Sequence, residues 1–297
     1  MIRLIDTRWR GQEGVIAVFA VPHREGVALV ESGPEVVFPE VVRALNELGY
    51  ELRDVTDLFL THIHLDHAAG AWRFAEAGAR VHVHPRGAPH LENPEKLLKS
   101  AGRLYGERMG ELWGEVRPVP KERLHAAEDG EVVRVGGLAF RAHATPGHAS
   151  HHHVWELEGA LFTGDVGGVR LEGGPTLPPT PPPDISLEDW RASLNKLRAL
   201  SAETLYPTHF GAYRDKEAML AELEERLFSY AEWVRRGLAA GKAPRELVPE
   251  FEDLVRRELS AAGLTEEAIR RYEAANPSAF SVLGLARYWQ KRHDRGL

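Results

Sequence analysis

The sequence contains no cysteine. That absence excludes disulfides, thiolate nucleophiles, cysteine-based zinc sites and iron–sulfur clusters. Any transition metal must then be held by histidine and carboxylate. No apolar run approaches the ~18 residues of a membrane-spanning helix; the longest, residues 15–21, reads as a strand. The opening residues, Met1-Ile-Arg-Leu-Ile-Asp-Thr-Arg8, lack the apolar core and cleavage site of a secretion signal, so a cytoplasmic location is expected. Positive charge is scarce as well: the net charge is −7. From Tyr213 onward 15 Lys and Arg face 15 Asp and Glu, so the excess acid lies in the preceding part. Such a surface disfavours nucleic acid and points to a small-molecule substrate. Met is rare, Arg outnumbers Lys and Pro is plentiful, a bias that fits a thermophilic protein or a GC-rich genome equally.

What is abundant is histidine, 15 in 297 residues, none of them in a terminal tag. The length supports one large core, or a large domain with a small appendage.

The first part of the chain reads as mixed α and β. Strands are expected at 15–21 and 26–31, separated by Pro22-His-Arg-Glu25, then a helix at 37–48 with apolar residues at helical spacing. A short strand at 57–61 is followed by a helix over 66–77, a strand at 80–84 and a polar helix over 94–113. Strands then recur at 131–135, 138–143, 152–157 and 160–163. The segment 167–184 is dense in Gly and Pro, including Pro178-Pro-Thr-Pro-Pro-Pro183, which cannot form a hydrogen-bond ladder. It is read as a loop rimming a site, with a rigid surface connector as the alternative. A helix over 187–200 leads to a strand at 203–206. After Tyr213 the pattern is helical: Leu220, Leu223, Leu227, Tyr230 and Val234 form one apolar stripe, and further helices are expected at 245–262, 265–275 and 278–291. The expected division is 1–212 as a catalytic domain and 213–297 as a helical region, whose stripe packs on the main domain or forms a homodimer seam. The basic aromatic stretch Arg287-Tyr-Trp-Gln-Lys-Arg292 reads as a solvated helix end with a packed Trp, rather than as a contact for an acidic substrate or RNA.

The chemistry is concentrated in His62-x-His64-x-Asp66-His67, at the end of a strand. In extended chain, residues i and i+2 point the same way, so His62 and His64 can reach one ion. The turn into a helix swings Asp66 and His67 toward a second position. Three more candidates each end a strand beside small residues: Thr145-Pro-Gly-His148, Phe162-Thr-Gly-Asp165 and Tyr206-Pro-Thr-His209. His151 and His153 would share one face, and a polar strand start is the reading given to them. His82 and His84 have no carboxylate near in sequence and are taken as structural.

The set His62, His64, Asp66, His67, His148, Asp165 and His209 resembles the signature of the metallo-β-lactamase superfamily. The resemblance extends over about Met1 to Ala212, and Leu29-Val-Glu-Ser-Gly33 resembles the family's early strand–turn, with Glu31 where Asp is more usual. It implies an α+β fold, a four-layer αβ/βα sandwich, here with a C-terminal helical extension. It implies that His62, His64 and His148 bind one ion, that Asp66, His67 and His209 bind a second, and that Asp165 bridges. Two divalent ions are expected: zinc by ligand type, with manganese or iron as alternatives. A hydroxide held between them would attack an ester, thioester or lactone, with Asp66 orienting it. His67 and the absent cysteine set the chain apart from true β-lactamases and nearer the glyoxalase II-like branch. A phosphodiesterase or nuclease on the same centre, and a mononuclear iron sulfur dioxygenase, are the alternatives. A non-catalytic binding module is disfavoured, because idle ligands need not stay a complete set.

Overall fold

The computed structural model describes residues 1–294. One sheet contains six strands in the order β1 (Arg3–Asp6), β2 (Ala17–His23), β3 (Gly26–Val30), β4 (Val55–Phe59), β5 (Arg80–Val83) and β6 (Leu124–Ala126). The pairs β1–β2 and β2–β3 are antiparallel; the remaining three are parallel. The second sheet runs from β7 (Val132–Val135) through β8 (Leu138–Ala144), β9 (His153–Leu157) and β10 (Ala160–Phe162) to β11 (Thr204–Tyr206). Only its β10–β11 pair is parallel.

Helices α1 (Phe38–Glu47), α2 (Leu65–Ala68), α3 (Ala71–Glu76), α4 (Ala88–Glu92), α5 (Glu95–Tyr105) and α6 (Met109–Trp113) connect strands β3 to β6 of the first sheet. Helix α7 (Leu187–Ala199) precedes β11. The chain ends with α8 (Lys216–Ala239), α9 (Pro244–Ala261), α10 (Glu266–Ala275) and α11 (Ser278–Asp294).

Three apolar clusters separate the four layers. Strand β2 shows why its sequence is an unbroken apolar run. Ala17, Phe19 and Val21 face the second sheet, while Val18 and Ala20 face the outer helices, so both faces are buried. Between the sheets, Phe59 and Phe140 stack at 4.0 Å, and the indole of Trp155 donates to the Leu60 carbonyl at 2.9 Å. Each such side chain, taken out of water, contributes about 1.5–3 kcal/mol. The third cluster joins Val154, Leu161 and Leu205 of the second sheet to α7 and to the C-terminal helices. The stripe Leu220, Leu223, Leu227, Tyr230 and Val234 is buried there, within the chain. In the basic aromatic stretch, Trp289 donates to the Ala231 carbonyl at 2.7 Å and Tyr288 donates to Glu188 at 2.9 Å.

Some expected elements are shorter or broken. The helix over 94–113 stops at Tyr105, because Gly106 takes φ +53°, and restarts at Met109. The helix over 66–77 is two short pieces, with the Gly70 N–H bonded at 3.0 Å to the Gly33 carbonyl. Strand β2 continues through His23, which leaves Arg24 and Glu25 as the turn. Strands β1 and β6 carry mostly exposed or half-buried residues, so neither has an apolar signal in the sequence. Among the described residues, no helix is long and apolar enough to cross a membrane.

Candidate metal centre

All seven donors named from the sequence meet at one rim of the sandwich, each just beyond a strand. His62, His64, Asp66 and His67 follow β4; His148 follows β8; Asp165 follows β10; His209 follows β11. They fall into two groups, His62, His64, His148 and Asp165 in one and Asp66, His67 and His209 in the other, each with its donor atoms within 4.8 Å. In the first, His64 Nδ1 lies 3.0 Å from His62 Nε2 and 2.9 Å from His148 Nε2, and Asp165 Oδ2 lies 3.2 Å from His148 Nε2. In the second, Asp66 Oδ2 lies 3.5 Å from His67 Nε2 and 3.3 Å from His209 Nε2. Asp165 turns its other oxygen, Oδ1, to that group, 3.2 Å from His67 Nε2 and 3.5 Å from His209 Nε2.

The outer ring nitrogens determine which inner ones are bare. A backbone carbonyl can only accept, so His148 Nδ1 donates to Pro179 O at 2.8 Å and His209 Nδ1 donates to Val15 O at 2.8 Å. The Thr61 hydroxyl donates to Glu31 at 2.5 Å, so it accepts from His62 Nδ1 at 3.0 Å. His67 Nδ1 donates to Glu31 at 3.0 Å. In the neutral form of each of these four rings Nε2 is the bare nitrogen and is aimed inward, the arrangement by which an outer hydrogen bond orients a metal-ligating histidine.

The geometry fits a divalent cation. The inner nitrogens of His62, His64 and His148 converge on one spot, with His64 Nδ1 3.0 Å from His62 Nε2 and 2.9 Å from His148 Nε2. His67 Nε2, His209 Nε2 and Asp165 Oδ1 are buried without a hydrogen-bond partner. Burial, reinforced by neighbouring imidazoles, holds His62 far below its ordinary value and His64 at about 3. Both are therefore neutral at physiological pH, the form in which an imidazole can bind a metal. In the second group burial pulls His67 and His209 down, but the carboxylates of Asp66 and Asp165 outweigh it and raise both. For Asp66 and Asp165 burial pushes upward, and the imidazoles, His67 foremost, hold them well below the carboxylate range. A cation held here would take the place of those imidazole protons against the two carboxylates.

Two cavities open onto the donors. The larger, about 510 Å³, reaches Asp66 and His209; the smaller, about 330 Å³, reaches His64, Asp66 and Asp165. Asp66, Tyr105, Asn276 and Phe280 line both. The Gly/Pro-rich segment supplies Pro179 and Pro181 to Pro183 to the smaller cavity, so it does rim the site.

Other residues were not visible as functional in sequence. Glu31 is buried, and Thr61, His67 and Thr208 all hydrogen-bond to it. Its signal was an acid at the end of an apolar strand. The three consecutive histidines diverge. His151 lines the smaller cavity, His152 bonds to Thr145 at 2.9 Å, and His153 packs on His84 with ring centres 4.5 Å apart. His82, which lacked a carboxylate near in sequence, meets Asp57 of the adjoining strand at 2.7 Å.

The histidines behind the site make the fold acid-sensitive. Burial lowers His84 to about 4 and His153 to about 3, and both nitrogens of His153 lack a partner. An unfolded chain takes up these protons near pH 6.5 while the folded chain refuses them. Stability contributed by their neutral form is therefore complete above about pH 6.5 and falls as pH drops toward 4. Metal-depleted protein should lose several degrees of melting temperature over that window, and His153→Gln should flatten the slope. A slope unchanged in His153→Gln would show that other groups carry it.

Two facing mixed sheets, helices outside them and a rim of histidine and aspartate donors define the class: a metal-binding hydrolase fold. The chain belongs to the metallo-beta-lactamase superfamily, whose family model matches residues 11–209. It is 26% identical over 213 residues to a metallo-beta-lactamase fold-containing protein of Sulfurisphaera tokodaii, covering 64% of this chain and 80% of that one. An atrochrysone carboxyl ACP thioesterase of Aspergillus fumigatus is 31% identical over 61% of this chain and 46% of its own length. A hydroxyacylglutathione hydrolase of Methylobacterium nodulans is 32% identical over 57% of this chain and 52% of its own. The chain thus matches about half the length of those two relatives. A metallo-beta-lactamase family protein from Thermus thermophilus shares the fold with a TM-score of 0.69 at 23% identity, over 99% of this chain and 94% of that one.

Proposed function

We propose that the chain is a dinuclear metallohydrolase acting on acyl thioesters or the related esters and lactones. The observation that carries this is Asp165, whose two oxygens face two separate donor groups. His62, His64 and His148 would hold one ion, Asp66, His67 and His209 the other, and Asp165 both. When bound, two divalent ions supply a water made nucleophilic at neutral pH and polarise the acyl oxygen; zinc suits these ligands best.

The chain's own groups do the rest. Asp66, open to both cavities, orients the attacking water with its carboxylate. Tyr105 lines both cavities beside it, and burial, with Asp66 and Asp165 near, keeps its hydroxyl protonated and able to donate to a substrate oxygen. Water adds its oxygen to the acyl carbon, the carbon–sulfur or carbon–oxygen bond breaks, and the leaving group takes up a proton. Leu97, Ala101 and Leu104 of the smaller cavity suit an apolar acyl group. The thioester preference draws its support from the two thioester-hydrolysing relatives named above.

The test has two parts. Untagged protein purified without chelator should contain about two zinc or manganese ions per chain by mass spectrometry, and it should hydrolyse thioesters or lactones faster than bis(p-nitrophenyl) phosphate. One iron per chain with oxygen consumption would overturn the reading in favour of oxygen chemistry. Preference for the phosphodiester would move the same centre to nucleic acid.

A further inference from the structure

The run Pro178-Pro-Thr-Pro-Pro-Pro183 carries the carbonyl that orients His148, yet it has few means to hold itself in place. Proline has no N–H, so the run can build neither ladder nor helix bonds and its shape must be imposed from outside. The imposing element is the C-terminal pair of helices. Asn276, between α10 and α11, donates to Pro178 O at 3.3 Å. Thr180 donates to the carbonyl of Ser281 on α11 at 3.3 Å, and Lys291 on α11 donates to Pro183 O at 2.8 Å. Tyr272 on α10 secures the approach to the run, donating to Pro175 O at 2.8 Å.

Between these contacts α11 comes as near as backbone allows. A Cβ on Gly284 would sit 1.9 Å from Thr180 O and 2.8 Å from the carbonyl carbon of Pro181. Gly284 is buried in the interior of a helix, where glycine is less favourable than alanine. The close approach is what requires it. The carbonyl of Pro179, between the two anchored residues Pro178 and Thr180, accepts His148 Nδ1 at 2.8 Å.

We infer that α11, through Gly284, positions the metal donors: it sets the Pro179 carbonyl and thereby the direction of His148 Nε2. This rests on the reading of the first donor group as a metal site. Gly284 is a positioning residue, with no contact to the donors themselves. The support reaches the centre from outside residues 11–209, the stretch that the family model matches.

The experiment is a Co²⁺ titration of the metal-depleted full-length chain, read by visible absorption, with wild type and Gly284→Ala. A shifted proline run tilts His148, so Co²⁺ should bind ~10-fold more weakly and with an altered spectrum, the size of effect seen when an outer partner of a ligating histidine is lost. Because Gly284→Ala adds bulk, Thr180→Val combined with Lys291→Met serves as a second variant that only removes anchors; it should weaken Co²⁺ several-fold. A purely structural role would lower the melting temperature of the metal-free chain and leave the dissociation constant and spectrum of the folded protein unchanged. That result in either variant that folds overturns the inference. A wild-type chain that takes up no Co²⁺ would instead refute the metal reading, and this inference with it.

Discussion

Asp165→Ala should leave purification nearly free of metal and should hydrolyse no substrate that the wild type does. Removing an outer-shell partner of a ligand costs about 10–100-fold in metal affinity or activity. Asp165 stands closer than any such partner, with one oxygen toward each donor group. Its loss should exceed 100-fold in kcat/KM, measured at saturating zinc to separate weak loading from failed chemistry. The side chain is also the shared anion of the buried imidazoles, so its removal leaves His67 and His209 with Asp66 alone on the inner side. Asp165→Asn keeps the shape and drops the charge. It should retain one ion more readily than two. Full metal content and full turnover in Asp165→Ala would sink the dinuclear mechanism.

The second large effect belongs to a residue that touches no substrate. Glu31→Ala should destabilise the metal-depleted chain by about 3–5 kcal/mol, the range for removing one partner of a buried charged network. Glu31 accepts from Thr61 N at 3.2 Å, from the Thr61 hydroxyl at 2.5 Å, from His67 Nδ1 at 3.0 Å and from the Thr208 hydroxyl at 3.0 Å. Those donors come from the segments after β4 and β11, so one carboxylate ties together the strand ends that bear the ligands. The residue also adopts φ +68°, uncommon for a side chain with a Cβ, which the surrounding bonds enforce. Urea unfolding of the metal-depleted variant reads the stability. A zinc titration of the folded fraction reads the second consequence, a 10–100-fold weaker affinity, because His67 loses the partner that directs Nε2 inward. An unchanged urea midpoint would remove Glu31 from its structural role.

Which parts of this centre the sequence disclosed follows from distance along the chain. His62, His64, Asp66 and His67 were legible because four ligand-type side chains occur within six positions. His148, Asp165 and His209 were legible only through their order and their small neighbours, and the fold brings them to the same rim. Glu31 lies 36 residues from His67 and 177 from Thr208, separations at which no local pattern operates. The same holds for Asp57 and His82, joined across neighbouring parallel strands. Pro179 is a harder case, since its contribution is a carbonyl, which every residue has. Among the secondary elements, strands buried on both faces and the apolar stripe of α8 announced themselves. Strands β1 and β6 did not, being short and mostly exposed or half-buried. The breaks at Gly70 and Gly106 were hidden because a lone glycine inside a helical pattern is more often tolerated than decisive.

The chain has no sulfur bridge, yet its donors suit the task of one. His64 and His148 point at a common spot from positions 84 residues apart. An ion grasping both would close that loop in the unfolded ensemble as well as in the native fold only if the unfolded chain could assemble the site, which it cannot. The binding energy of such an ion would therefore accrue to the folded state alone, and the ion would act as a reversible rivet between the two sheets. In a protein without cysteine, the element that performs the chemistry would also fasten the halves of the sandwich, and a chelator would loosen the architecture in the same act that silences the site.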